Sequence, residues 1–424
     1  MPFDRSMSGT WPSRRALLGA AAALPVAACA RRSDPGRVSL WAIDVEGENV
    51  KYLLTDFTRR TGVPVDAQSL AWTAAHDKLL TAYAGGSLPD VFMTSRSWVG
   101  ELAMLGAIRP VPAAAQDLLA DTFAIGDLRI AGRFMAVPWT LDTGAQYYRR
   151  DLLARAGHAA PPAHLDAWRD TLRVIKRRGL ARYAVLLQLD WPAHLLNIAT
   201  QTEVPLLRDR MSAGNFTSPE FRDALAFYKS LFDEELSPKV TSIEASDPPG
   251  DLARGWVAIY PSGAWIRAEL LRRQELIPLD RWATAPLPGG ATTTRFGVAG
   301  NMLCVSATAA DGPRAWSLVR YLTGNPAAFA LNRVAGTLPA RPSAWASPPL
   351  RDDPTLRPFE QALRQSKPET KPLEWDRITG EVQLVAEQLV RGRVTLDEAC
   401  REMNRRADAI LAKRRWLLEQ GRIA

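Results

Sequence analysis

The chain has 424 residues, of which 47% are apolar, and carries a formal net charge of +8. That apolar share belongs to a globular chain, and the length suits two domains or one large bilobal unit. Basic residues are interspersed with acids, which excludes the continuous basic stripe of a nucleic-acid surface.

The first element is an export signal. Ser13-Arg14-Arg15 carries paired arginines, and Ala16–Ala28 is apolar. At about 1.5 Å per residue this run reaches about 20 Å, short of a bilayer core of about 30 Å. It therefore reads as a twin-arginine leader over residues 1–28 and not as a membrane span. The leader ends Val26-Ala27-Ala28-Cys29, and small residues before a cysteine resemble a lipobox. Cleavage before Cys29 and diacylation of its thiol are expected. A diacyl group plus an N-acyl chain exceeds the two chains that stable anchoring needs. Residues 29–36 then form a tether, at the periplasmic or other extracytoplasmic face of a membrane.

Beyond the tether, Arg37–Ile43 alternates as a first strand. Lys51–Arg60 places Tyr52, Leu53, Leu54 and Phe57 on a helix, and Val63–Gln68 is a second strand. Strand, helix, strand over this span is a βαβ unit, with parallel pairing and a right-handed crossover. A helix over Ala74–Ala84 stops at Gly85-Gly86, and Val91–Ser95 is a strand. The spacing predicts a short helix over Trp98–Leu105, closed by Gly106 as a left-handed cap. Gly132–Gly157 reads as a turn, an apolar strand, a Pro138-Trp139 step, a second strand and an amphipathic helix. Ala163–Arg178 is a helix containing Trp168, Leu172 and Ile175, followed by a strand over Arg182–Leu189. Ser218-Pro219 opens a helix with Phe221, Ala224, Leu225, Tyr228, Leu231 and Phe232 on one stripe. A strand over Gly255–Tyr260 turns through Pro261–Trp265 into a helix. Phe296–Ser306 is a strand, Pro313–Leu322 a helix, and Leu338–Pro358 a Pro-rich connection. Thr395-Leu-Asp-Glu398 is a capping box, and its helix buries Ala399, Met403, Ala407, Ile410 and Leu411.

Alternating strands and helices indicate α/β layers. Ligands of open α/β sheets sit beyond the carboxyl ends of strands. That rule selects the loop Asp44–Glu48, Ser95–Trp98, Trp139–Asp142, Trp191, Ser262–Trp265 and Gly300-Asn301. Tryptophan, with 14 copies against 12 Phe and 8 Tyr, is the compositional outlier. Its flat apolar face with one N–H donor suits the C–H faces of pyranose rings, although at least half of the tryptophans are expected in cores. Cys304 and Cys400 read as buried free thiols. No Cys/His spacing suits zinc, and His158 and His164, flanking a Pro-Pro loop, read as surface residues.

Six stretches, in order, resemble the extracellular solute-binding proteins that feed ABC importers, in their carbohydrate-binding, maltose-binding-protein-like branch. They are Trp72–His76 through Gly86-Ser-Leu-Pro-Asp90; Leu105–Val111; Gly132–Gly157; Gly255–Trp265; Ala285–Gly289 with Gly297–Gly300; and Leu338–Arg341. The resemblance implies a type II periplasmic-binding-protein fold, two α/β lobes joined by three hinge crossings. An N-lobe of 37–138 and 296–343 and a C-lobe of 139–295 and 344–424 are expected. It further implies a monomer without cofactor or catalysis, which binds a sugar or oligosaccharide and delivers it to the transmembrane subunits of a permease.

On that resemblance, Trp139, Thr140 and Asp142 sit at the ligand, with Trp139 and Trp265 as stacking platforms. Asp142 and Glu46 would accept paired sugar hydroxyls, because hydrogen bonds to a carboxylate are about twice as strong as neutral ones. Asn301 can donate and accept at once, beside Gly300, which leaves the backbone open. Arg341 offers a forked contact. Trp41, Trp72, Arg96, Trp98 and Trp191 are neighbours. Arg96 and Arg341 keep an acidic or phosphorylated ligand open. Two other readings remain: an exported glycosidase using Glu46 and Asp142 as its carboxylate pair, and a sensor presenting ligand to a receptor kinase. No Gly-x-Ser-x-Gly elbow, P-loop or His-Glu-x-x-His motif is present.

Overall fold

The computed structural model describes residues 36–123, 128–202, 204–289, 298–365 and 371–422. The export leader, Cys29 and Gly297 lie outside the described residues. The strands of the two main sheets are, in chain order, β1 (Val38–Ile43), β2 (Val65–Leu70), β3 (Val91–Ser95), β4 (Val137–Asp142), β5 (Ala145–Arg149), β6 (Tyr183–Val185), β7 (Val257–Ser262), β8 (Trp282–Ala285), β9 (Ala299–Val305) and β10 (Leu338–Pro339). The first sheet has the order β10-β4-β9-β3-β1-β2 and the second β8-β5-β7-β6. With helices packed on both, the molecule is a two-lobed α/β fold.

Strand direction fixes which ends meet. β1 is parallel to β2 and to β3. β9 is antiparallel to β3 and to β4, so β4 points the same way as β1 and β3. The carboxyl ends of β1, β3 and β4 therefore share one edge with the start of β9. In the second sheet β7 is parallel to β6 and antiparallel to β5, with Ser262 opposite Ala145. The end of β7 and the start of β5 thus share an edge too. Only Thr143 and Gly144 lie between Asp142 and Ala145, so the two edges are joined by a two-residue step. The passage between sheets comes later than position 139. Leu141 and Asp142 still pair with Gly300 and Ala299 of the first sheet.

Local chemistry accounts for most elements. Leu53, Leu54 and Phe57 are the buried stripe of helix Lys51–Thr61, which ends at Gly62 with φ 71°. Ser218 Oγ accepts from Phe221 N at 3.3 Å, with Pro219 in the first turn. Thr395 and Glu398 form the reciprocal capping box. Two elements differ from the sequence pattern. Arg182–Leu189 is a strand only at Tyr183–Val185, because Leu187 N donates to Ser237 Oγ and Leu189 N to Val240 O, away from the ladder. Asp44–Asn49 is a short helix and not a loop. Gly47 permits it, since a Cβ there would lie 2.6 Å from Ala42 O.

Three apolar clusters hold the lobes. Leu40, Phe57, Leu303 and Leu318 belong to the first-lobe core, and Leu152, Trp168, Phe221, Tyr228, Val385 and Met403 to the second. A third is continuous between the sheets, taking Phe92 and Met302 from one and Tyr147 and Trp282 from the other, with Trp345 and Phe359. Among the described tryptophans Trp139, Trp168, Trp282 and Trp345 are buried, and Trp41, Trp98, Trp256, Trp265, Trp316 and Trp375 pack partly buried against the core clusters, so more than half belong to cores, as expected. Trp72 and Trp416 stand exposed. Cys304 and Cys400 are buried and free, and burial pushes both thiols up. Among the described residues no helix is long and apolar enough to cross a membrane, and no His/Cys/Asp/Glu group could hold a metal ion.

Candidate functional site

The first-sheet edge carries a buried acid held by two neutral donors. Glu46, in the short helix Asp44–Asn49 after β1, accepts from Thr140 Oγ1 at 2.6 Å and from Asn301 Nδ2 at 3.0 Å. Asn301 Nδ2 also lies 3.2 Å from Thr140 Oγ1. A backbone irregularity makes this triad. Asn301 faces Thr140, but the next residue, Met302, faces Pro138, so Trp139 is the extra residue of a bulge in β4. The bulge sends Trp139 into the first-lobe core, 3% exposed, where its Nε1 donates to Leu322 O at 3.1 Å. Trp139 is therefore a core residue and offers no stacking face, and Thr140 takes its expected place at the site.

Asp142 lies two residues beyond Thr140 and is partly buried. Burial raises its carboxyl to about 7, helped by the nearby Glu46 charge and opposed by a hydrogen bond from the Thr143 backbone. Glu46 is also raised, by burial first, against the bonds from Thr140 and Asn301. Next to them the Thr143 hydroxyl is buried with no partner among the described residues. A buried hydroxyl without a partner marks a place where water or ligand completes the bonding.

Aromatic pairs stand at both sheet edges. Asp44, at φ 43°, accepts from Trp72 N at 2.8 Å and so ties helix Trp72–Ala84 to the short helix that bears Glu46. Trp72 and Trp98 have ring centroids 5.4 Å apart, and His76 is 4.7 Å from Trp98. Its Nε2 lies 2.7 Å from Glu101 Oε2. Trp72 is 43% exposed, an open apolar face at the rim. On the second lobe, Trp191 and Trp265 have centroids 5.8 Å apart, and Trp191 meets His194 edge-on at 4.8 Å. Burial holds His194 at about 3, neutral at physiological pH. Tyr260, in β7, donates to Gln188 Oε1 at 3.3 Å. Gly263 lies under the Trp265 ring, where any Cβ would collide with it.

Of the sequence-selected residues, Glu46, Asp142, Gly300 and Asn301 gather at the first-sheet edge, with Trp72, Arg96 and Trp98 on neighbouring turns. Trp191 and Trp265 gather at the second. Arg341 is engaged within the first lobe: its Nε pairs with Asp121 Oδ2 at 3.2 Å and its Nη1 donates to Thr323 O at 3.4 Å. Trp41 lies beneath the Lys78 ammonium, 5.1 Å from its ring. Sequence reasoning passed over Gln188, Thr143 and Asp376. Gln188 sits between Leu187 and Leu189 and carries no local signal.

Comparisons with known proteins agree with this fold. Residues 53–358 match the family model of the bacterial extracellular solute-binding proteins. In structure the chain is similar to the sugar-binding protein MalE of the phytopathogen Xanthomonas citri. The TM-score is 0.82 and the identity 35%, over 91% of this chain and 99% of that one. In sequence it is similar to the maltotriose-binding protein of Pyrococcus abyssi, 20% identical over 325 residues, 74% of this chain and 68% of that protein. It is also similar to an uncharacterized lipoprotein of Streptomyces antibioticus, 27% identical over 265 residues, 59% of this chain and 58% of that protein. The matched family is one of binding proteins and not of enzymes, and the glycosidase reading finds no support in it. A family match over most of the length, joined to paired sheet edges bearing acids and tryptophans, places the chain in the bacterial extracellular solute-binding protein family.

Proposed function

We propose that this protein is the lipid-anchored receptor of an ABC importer, and that it captures a sugar or oligosaccharide between its lobes and hands it to the permease. The observation that carries this is the pairing of two sheet edges across the Thr143-Gly144 step. One bears Glu46, Asp142 and Asn301, the other Trp191 and Trp265. Carboxylates and an amide recognise hydroxyls, and indole faces recognise the apolar faces of pyranose rings. The sugar-binding relatives support the same ligand class. A neutral ligand fits this reading, since Arg341 is already paired with Asp121.

In this reading the lobes divide near residue 143, with 37–142 and 299–343 in one and 145–285 and 344–422 in the other. They close by a hinge motion. Ligand favours the closed form only through contacts made better there. The anchor at Cys29 keeps the receptor beside its permease; the lipoprotein relative and the small residues before Cys29 support it. Cys29→Ser should release the protein from the membrane fraction without changing ligand affinity.

A thermal-shift screen tests the ligand class, using neutral mono- and oligosaccharides beside sugar phosphates. A ligand at a hundred times Kd stabilises by about 2.7 kcal/mol. Stabilisation by a neutral glycan is the expected result. No response to any glycan, or turnover of glycosides without stabilisation, would sink the proposal.

A further inference from the structure

Helix Trp375–Val390 belongs to the second lobe, where Ile378, Val382, Val385 and Leu389 enter the core. Its first turn bears Asp376, whose carboxylate reaches the first lobe. Ser97 Oγ donates to Asp376 Oδ2 at 2.6 Å, and Trp98 Nε1 donates to the same oxygen at 3.2 Å. Both donors lie in the turn Arg96–Trp98 that leaves the carboxyl end of β3. Just before the helix, Leu373 covers Gly100 so closely that a Cβ there would lie 2.8 Å from Leu373 Cδ2. Trp98 is the residue that Trp72 and His76 pack against.

The contacts of Asp376 and Leu373 with Ser97, Trp98 and Gly100 all cross from one lobe to the other. Any rotation of the lobes about the Thr143-Gly144 step that widens the cleft breaks them together. We propose that Asp376 is a positioning residue for ligand capture: when the lobes close, its carboxylate latches the Ser97–Trp98 turn and sets the plane of the Trp98 indole beside Trp72. The inference rests on the solute-binding reading above. Two donors converging on one charged oxygen make stronger bonds than a neutral acceptor would give. Solvent reaches the rim, which keeps the contact weak enough to release. An indole held through its N–H keeps its faces free for packing, so the latch links closure to the order of the aromatic pair.

Spin labels on two exposed positions, Thr61→Cys in the first lobe and Arg393→Cys in the second, would read lobe separation in the full chain, without sugar and with maltose or maltotriose. Relative to the labelled parent, Asp376→Ala should lower the ratio of short to long distances about fivefold, the scale of one charge-assisted hydrogen bond at a wet rim. Its melting temperature should not move, since the latch lies outside both cores. Asp376→Asn, with one neutral acceptor, should fall between. Adding Ser97→Ala to Asp376→Ala should change nothing further. Distances in Asp376→Ala that match the parent overturn the latch, as does a parent with no short-distance population. Failure of the sugar reading is separate: the thermal screen would find no stabilising glycan while the distances still differed.

Discussion

At the scale of single residues, the site depends on where each side chain's polar atom ends up. Trp265 keeps its ring at the second-sheet edge, seated over Gly263 and beside Trp191. Trp265→Ala should weaken glycan binding at least about tenfold, by loss of a stacking face, with little change in melting temperature. Unchanged affinity by calorimetry would remove Trp265 from the site. Asp142 predicts a pH effect. Its carboxyl is raised from 3.8 to about 7, so between those values the folded chain holds a proton that the unfolded chain has released. Its contribution to stability therefore falls as pH rises through that window. Hydroxyls donating to Asp142 favour its ionised form. Affinity should rise as pH climbs toward about 7 and level off above, with a proton released on binding. Calorimetry at pH 6 in buffers of different ionisation heat reads that proton, and Asp142→Asn should abolish it. The positions of the acids and Trp265 near strand ends were legible in the sequence, because strand ends follow from the alternating pattern. Trp139 was misread because a one-residue bulge is invisible in an alternating pattern. Arg341 was misread because its partner Asp121 lies far away in sequence.

At the scale of elements, sheet edges were legible and interlocks between elements were not. The amphipathic stripe of Pro219–Asp233 and the capping box at Thr395 predicted their helices correctly, since spacing and caps are local properties. The seat of Gly336 is a different matter. It ends helix Asn325–Ala335 at φ 74°, and a Cβ there would lie 2.7 Å from Ala264 O and 3.0 Å from Trp265 Cα. Arg272 Nη1 donates to Val334 O at 3.0 Å in the same place. The loop before β10 is thus fitted against the start of the helix that bears Trp265. Gly336→Ala should cost about 1–2 kcal/mol from the left-handed backbone alone and displace Trp265 as well. A lower melting temperature together with weaker glycan binding is expected, whereas Trp265→Ala should move affinity alone. A Gly336→Ala chain that melts lower but binds as before would show that the two helices are not coupled through this seat.

At the scale of the whole molecule, the shared cluster around Phe92, Met302, Tyr147 and Trp282 makes the lobes one cooperative body near the hinge. A single calorimetric unfolding transition is expected, and two resolved transitions would refute it. The order β10-β4-β9-β3-β1-β2 has a further consequence, for the sequence of assembly. β9, residues 299–305, lies between β3 and β4, which were both made long before it. A growing chain that has passed Asp142 holds β3, β1 and β2 on one side and β4 on the other, with a gap one strand wide between them. Neighbouring strands stand about 4.8 Å apart, so nothing closes that gap until β9 arrives. The second sheet has all its strands by Ala285. The half begun first is therefore the half completed last, and its long-range pairings set the slow phase of folding. Pulse-labelling hydrogen exchange during refolding should protect β5 and β7 before β4 and β9.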